Sequence, residues 1–190
     1  KLKIILIVIG IVIASLLISF GAILLLSSGF NDKYDITTDT AKYNDVIVGK
    51  KWELSEEIFP KDIKKLNVID FKHVYYDPWD ANYLAYLVID YNEEEYSKEI
   101  ERLNDYGINK YIDYYSVKGF SKYELVAMEA DSYNGFVYAI TDGKSRIIYV
   151  ELIFCNYYMD IDYEKQIPNE YLPDGFNAKN NNPYQKKKIK

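Results

Sequence analysis

The hydrophobic pattern changes character once along the chain, near residue 27. From Ile4 to Leu26 it is unbroken: 23 residues with no charge, Pro, Asn or Gln, seventeen of them Ile, Leu, Val or Phe. At 1.5 Å per residue such a helix is about 34 Å long, enough to cross a ~30 Å hydrocarbon core with some tilt. Seventeen strongly apolar side chains at ~0.4 kcal/mol each favour insertion by roughly 7 kcal/mol. β-Branched residues do not argue for a strand here, because in lipid only a helix satisfies its own backbone without partners. The first expectation is a transmembrane helix over 4–26.

Beyond residue 27 the pattern is that of a half-polar domain. Trp52 to Leu66 opens it, with Ser55-Glu56-Glu57 as a helix start that Pro60 interrupts. Val68 to Tyr76 sets Ile69, Phe71, His73 and Tyr75 against Val68, Asp70, Lys72 and Val74, the period of a strand. Tyr83 to Tyr91 is a second, more apolar strand, joined to the first by the turn Asp77-Pro78-Trp79-Asp80. Asn92, with Glu95 three residues on, then caps a helix. In it Tyr96, Ile100 and Leu103 share one face, Glu94 and Lys98 pair outside, and Gly107 supplies the stop.

Three further strand-like runs follow: Tyr123 to Ala130, Phe136 to Thr141 and Arg146 to Tyr158. Asp131-Ser132-Tyr133-Asn134-Gly135 and Asp142-Gly143 separate them with hairpin chemistry. The last run is apolar on both faces, broken only by Glu151, which predicts a central strand. The order strand, strand, helix, strand, strand, strand predicts an α+β domain, an antiparallel sheet with a helix packed on one face. Met159 to Ala178 reads as irregular. The whole chain divides into a short cytoplasmic end (1–3), the span (4–26), a polar stalk (27–51), the α+β domain (52–178) and a disordered basic tail (179–190).

Length and exit chemistry decide what kind of span this is. A cleaved signal peptide has an apolar region of ~7–15 residues and a small-x-small cleavage site. This run is longer and leaves through Leu26-Ser27-Ser28-Gly29-Phe30 without an Ala-x-Ala, so it reads as an uncleaved signal-anchor. Lys1 and Lys3 crowd the N-terminal side, which orients that end to the cytoplasm and the domain outside it.

Charge then limits the partners. Residues 1–27 carry two Lys and no acid, and residues 179–190 carry five Lys and no acid. The body between them therefore holds 16 of the 23 basic side chains and all 29 acidic ones, a net of −13. Such a body repels nucleic acid, wall polyanions and anionic lipid headgroups, and it excludes a nucleic-acid partner. Cys155 is the lone cysteine, so no intramolecular disulfide staples the fold. With no Asn-x-Ser/Thr sequon either, the chain suits a bacterial cell membrane better than a eukaryotic secretory route.

Candidate chemistry is sparse. Asp160-x-Asp162-x-Glu164 places three carboxylates on one side of an extended segment, a donor set for a hard cation such as Ca²⁺. An EF-hand loop beginning at Asp160 would need Gly at 165 and Glu at 171, where this chain has Lys165 and Tyr171. The trio reads first as a solvated polar face. His73 is the only histidine, which excludes a histidine metal cluster. A Cys155–His73 nucleophile pair is conceivable, but Cys155 sits in the most apolar run, where a thiol is inert. No catalytic residue, cofactor or resident metal is assigned. Trp52, Trp79 and the 21 tyrosines read first as core and second as an aromatic binding surface. The C-terminal lysines read first as a freely solvated tail, and second as a contact for a membrane surface, an acidic partner or the −13 body itself. Gly10, Ala14 and Gly21 fall on one side of the anchor helix, a face for weak self-association.

The run WELSEEIFPKDI, the strand-turn-strand after it and the acidic helix EEEYSKEIERL resemble small single-pass membrane-anchored bacterial proteins of unassigned function. That resemblance covers Trp52 to Leu103 and implies neither an activity nor site residues. The expected function is an extracytoplasmic binding domain on a single-pass anchor, for a protein or cell-wall partner. The alternatives are a membrane-tethered hydrolase using acidic residues and an accessory subunit of a membrane complex.

Overall fold

The computed structural model describes residues 13, 15, 31–48 and 57–189. Apart from Ile13 and Ser15, the expected span 4–26 lies outside the described residues, as do Gly10, Ala14 and Gly21. Among the described residues no helix is long and apolar enough to cross a membrane.

Six strands form one sheet: β1 (Asn31–Thr37), β2 (Asn67–Asp77), β3 (Asn82–Asp90), β4 (Glu124–Asp131), β5 (Gly135–Thr141) and β6 (Arg146–Ile153). Their order is β1-β2-β3-β6-β5-β4, and every neighbouring pair is antiparallel. Helix α1 (Glu93–Tyr106) carries the chain from central β3 to the far edge, where β4, β5 and β6 return to the middle. This is the α+β architecture that the strand and helix pattern predicts.

Local chemistry accounts for the elements. Asn92 caps α1 by accepting from Glu95 N–H at 2.9 Å, and Glu93, Glu94 and Glu95 place negative charge at the positive end of its dipole. Gly107, at φ 86°, ends the helix and returns its N–H to Leu103 C=O. Asp142 Oδ1 accepts from the N–H groups of Lys144, Ser145 and Arg146, which closes the β5–β6 turn. Asp131 Oδ1 does the same for Tyr133 and Asn134 before Gly135.

Both faces of the sheet are covered. Phe71, Leu87, Ile89, Ile147 and Tyr149 pack on one face with Tyr96, Ile100 and Leu103 of α1 and with Tyr43, Ile47 and Phe59. Leu84, Val88, Tyr138, Ile148 and Val150 pack on the other with Tyr115, Met159, Ile161, Tyr163 and Ile167. The predicted helix-covered face is there. The second cover comes from segments 111–123 and 159–178, which carry only a single 3-10 turn each (Tyr114–Ser116, Asn169–Tyr171) and the one-turn helix α2 (Tyr163–Gln166). Aromatic side chains make this cover work without regular structure: Tyr115 meets Phe136, Phe154 and Phe176 edge to face.

Four sequence expectations are corrected. The stalk 27–51 is not solvated chain throughout. Its residues 31–37 form β1 along β2, and Tyr43 and Ile47 enter the core from short turns at Thr40–Lys42 and Asn44–Val48. The tail 179–190 is not disordered throughout. Asn182 caps helix α3 (Pro183–Lys188), and both Asn182 and Gln185 are buried. The run Arg146 to Tyr158 stops being a strand at Ile153, because Asn156 and Tyr157 turn the chain at φ 57° and 65°. Within β2 a bulge falls between Val68 and Asp70, so Val68 joins the α1 face and Ile69 is left exposed. The expected helix start at Ser55-Glu56 lies outside the described residues, and Glu57 and Ile58 form a turn.

The two ends of the sheet differ in what surrounds them. At one, β1 begins at Asn31 opposite Asp77, beside the 78–81 turn and the 155–158 turn. At the other, Asp90 opposes Arg146 and holds it through two charge-assisted bonds, Nε to Oδ1 at 2.6 Å and Nη2 to Oδ2 at 2.7 Å.

Candidate functional site

A concavity lies at the Asp90 end, between α1 and the segment 57–66. It is a groove of about 540 Å³ whose lining includes Phe59, Lys61, Tyr91, Lys98, Glu99 and Arg102. A second hollow of about 350 Å³ continues it along the helix and shares Glu57, Lys61 and Arg102. Phe59, Pro60, Leu66 and Tyr91 give an apolar floor, and α1 supplies charged side chains along the rim.

A chain of hydrogen bonds fixes this wall. Tyr91 and Tyr149 share a hydroxyl–hydroxyl bond of 2.7 Å, and Tyr149 OH donates to Glu99 Oε1 at 2.6 Å. Arg102 grips the same carboxylate through Nε to Oε2 at 2.8 Å and Nη2 to Oε1 at 2.6 Å. The guanidinium also donates to the carbonyls of Glu57 and Ile58, which ties the loop to the helix. From beneath, Tyr43 OH donates to Pro60 C=O at 2.6 Å, and the Phe59 ring packs on Tyr149.

These groups hold fixed protonation states. The Glu99 carboxylate, working against burial, keeps Arg102 even more firmly protonated than usual. Burial, reinforced by the Glu99 charge, pushes the Tyr91 hydroxyl up, and burial does the same to Tyr149 and Tyr43. A group held far from neutrality donates or accepts a hydrogen bond but does not shuttle protons at pH 7. The wall is hydrogen-bonded throughout and carries Arg102 charged and the three tyrosine hydroxyls neutral at pH 7.

The residues singled out in the sequence lie elsewhere. Asp162 pairs with Lys165 at 2.6 Å and Glu164 with Lys179 at 2.8 Å, while Asp160 faces Asp80. The trio is thus dispersed onto separate partners. Among the described residues, no three His, Cys, Asp or Glu side chains are grouped to hold a metal ion. Asp160 lies at the Asn31 end of the sheet, where its N–H bonds the buried Asn82 side chain at 3.0 Å. Burial, and then Asp80, raises its carboxyl above the usual range.

His73 and Cys155 do not form a pair. His73 is buried on the α1 face of β2, level with Ala85 and, one strand further, with Glu151. Cys155 lies four residues beyond Glu151, roughly 13 Å at the rise of a strand. Burial and the Asp80 charge raise its thiol, so it stays protonated. Trp52 lies outside the described residues. Trp79 departs from the core expectation for aromatics, since 79% of it is exposed.

Sequence reasoning missed the groove because its members are far apart. Glu99 and Arg102 stand three residues apart on one helix and were readable as a surface pair. Tyr149 and the 57–58 carbonyls reach them only through the fold. No protein-family model, no curated protein and no solved structure matches this chain.

Proposed function

We propose that the chain is a single-pass membrane protein whose α+β domain, held outside the cytoplasm, binds a partner protein through the groove beside α1. The observation that carries this reading is the placement of the groove. β3 starts with Asn82 at the end where β1 enters the sheet and finishes at Asp90 under the groove. Eight residue steps at ~3.4 Å put the groove about 27 Å from the end nearest the predicted anchor. An anchored domain built this way presents its binding surface away from the bilayer.

The groove's form favours an extended peptide segment. It is elongated along α1, apolar on its floor, and rimmed by Lys61 and Lys98 on one sign and Glu95 and Asp62 on the other. The Arg102–Glu99 pair is engaged internally and serves to hold the wall. Such a surface supplies an apolar anchor point with polar groups to set register, the usual division of labour in a binding groove.

The test is site-specific photo-crosslinking in intact cells with a benzophenone side chain at Lys61 or Lys98. A discrete adduct at these two positions, absent when the probe replaces Lys72 on β2, is the expected result. Equal labelling at all three positions, or none at the groove, would refute the reading.

A further inference from the structure

The opposite end of the sheet carries a different surface. Helix α3 is seated there: Asn182 Nδ2 donates to Tyr157 C=O at 2.8 Å and Gln185 Nε2 to Asn156 C=O at 3.2 Å. Asn156 in turn bonds Asp80 of the 78–81 turn, and Asp77 before that turn is level with Asn31. α3, the Trp79 turn and the start of β1 therefore share one end of the domain.

One part of this end, α3 with Lys110, is basic and carries exposed apolar side chains. Lys186, Lys187 and Lys188 project from α3, and Lys110 joins the last two around a hollow of about 430 Å³ that Ile112 also lines. Ile189 is 66% exposed, Trp79 79% and Tyr133 40%. The ion pairs among the described residues involve none of these four lysines. Acids share this end: the exposed Asp77 and Asp80 flank Trp79, Asp160 faces Asp80, and Asp131 caps the turn after β4, so the excess of positive charge is confined to α3 and Lys110. Asp113 lines the same hollow and offsets one lysine.

Rigid backbone supports the surface. The non-glycine residues with positive φ among those described, Asp113, Tyr115, Ser116, Asn156, Tyr157 and Asn181, all lie here. The buried Tyr115, whose hydroxyl reaches Ser132 C=O, holds them in place. Four residues, 27–30, separate the predicted span from β1. From Leu26 to Asn31 the chain reaches at most about 17 Å, so an anchored domain must carry this end close to the headgroups.

We propose that this end docks on anionic phospholipid, with Lys110 and Lys186–Lys188 against headgroup phosphates and Trp79 and Ile189 in the interfacial layer. The proposal rests on the anchored reading above. The lysine cluster is attracted to an anionic surface within about a Debye length, against the repulsion of the acidic body, so the short tether that holds this end at the headgroups is what lets the attraction act. Tryptophan beside it prefers the depth where apolar and polar layers meet.

The experiment uses the full chain reconstituted in nanodiscs of phosphatidylcholine alone or with 30% phosphatidylglycerol. Quenching of tryptophan emission by brominated acyl chains is compared between the chain and its Trp79→Phe variant, so that the difference belongs to Trp79. The expected result is strong Trp79 quenching in the anionic discs, little in the neutral ones, and loss at 0.5 M salt. Each lysine near an anionic surface is worth about fivefold in partition, so Lys186→Gln/Lys187→Gln/Lys188→Gln together should lower it on the order of a hundredfold. A native circular dichroism spectrum of that triple variant separates lost docking from lost folding. Trp79 emission insensitive to lipid charge and to the lysines would overturn the docking. A chain that fails to co-elute with the discs would overturn the anchor and the docking together.

Discussion

Glu99 offers the most direct check on how the groove wall is held. Its side chain is 13% exposed and accepts three bonds, two from Arg102 and one from Tyr149. Replacement by Ala leaves the Tyr149 hydroxyl with only Tyr91, and leaves a buried face of Arg102 with only the Glu57 and Ile58 carbonyls. Bonds to a charged group contribute ~1.5–3 kcal/mol each when taken singly. They share one carboxylate here and the Arg102 side chain is 39% exposed, so water recovers part of the loss. Alanine's better helix propensity returns ~0.4 kcal/mol. The net expectation is a loss of about 2 kcal/mol, or roughly 4–8 °C in melting midpoint for a domain of this size. Near-UV circular dichroism of the full chain in detergent micelles reads that midpoint. Glu94→Ala is the internal control: Glu94 pairs with Lys98 at 80% and 71% exposure, and such a pair contributes only ~0.3 kcal/mol. The reasoning fails if Glu99→Ala costs no more than Glu94→Ala. It fails equally if Glu99→Ala and Arg102→Ala prove additive in the double variant, since a shared bond network predicts coupling.

Three further outcomes follow from other parts of the fold. Asn182→Ala removes the cap of α3 and a buried donor to two carbonyls, and should cost about 2–3 kcal/mol in a urea titration, where a solvated tail would show no change. Gly135→Ala sets a Cβ 2.0 Å from Leu152 C=O at φ 109°, so it should cost at least ~3 kcal/mol or prevent folding, visible as loss of soluble protein, whereas Gly143→Ala, with open space around its Cβ, should cost only the ~1 kcal/mol of its left-handed φ of 74°. Asp160 is an acid whose folded-state pKa is raised by burial and by Asp80, so stability is lost as pH rises through the window above the ordinary carboxylate value. Asp160→Asn should therefore raise the melting midpoint at pH 7 and leave it unchanged near pH 3, and an equal shift at both would contradict the assignment.

The legible parts of the fold were those whose cause is local. The Asn92 cap, the Asp142 turn and the two-faced apolar run of β6 are each written in a few adjacent residues; the first two stand where the pattern put them, and β6 starts where expected at Arg146 but ends at Ile153. β1 was not legible, because an edge strand exposes most of its side chains and Asn31–Thr37 carries no apolar alternation to speak of. Its existence depends on register with β2, 40 residues away. The Asn182-Pro183 signal for α3 was present in the sequence but sat inside a run of Asn and Lys whose composition argued for a solvated tail. β6 implied cover on both faces, yet the aromatic segments that supply the second cover have no period to detect. The groove was hidden for a related reason, since Tyr149 and Glu99 meet only after α1 folds across the sheet.

The antiparallel ladder between β1 and β2 has a mechanical consequence. On the proposed reading, a partner held in the groove and an anchor attached ahead of Asn31 would pull on opposite ends of the same sheet. The line of tension then runs along the strands, so the β1–β2 hydrogen bonds carry load in shear and must break together. Had the groove opened at the anchor end, the same tension would have peeled β1 away one bond at a time. On that reading the strand that looked like a leash would act as a splice.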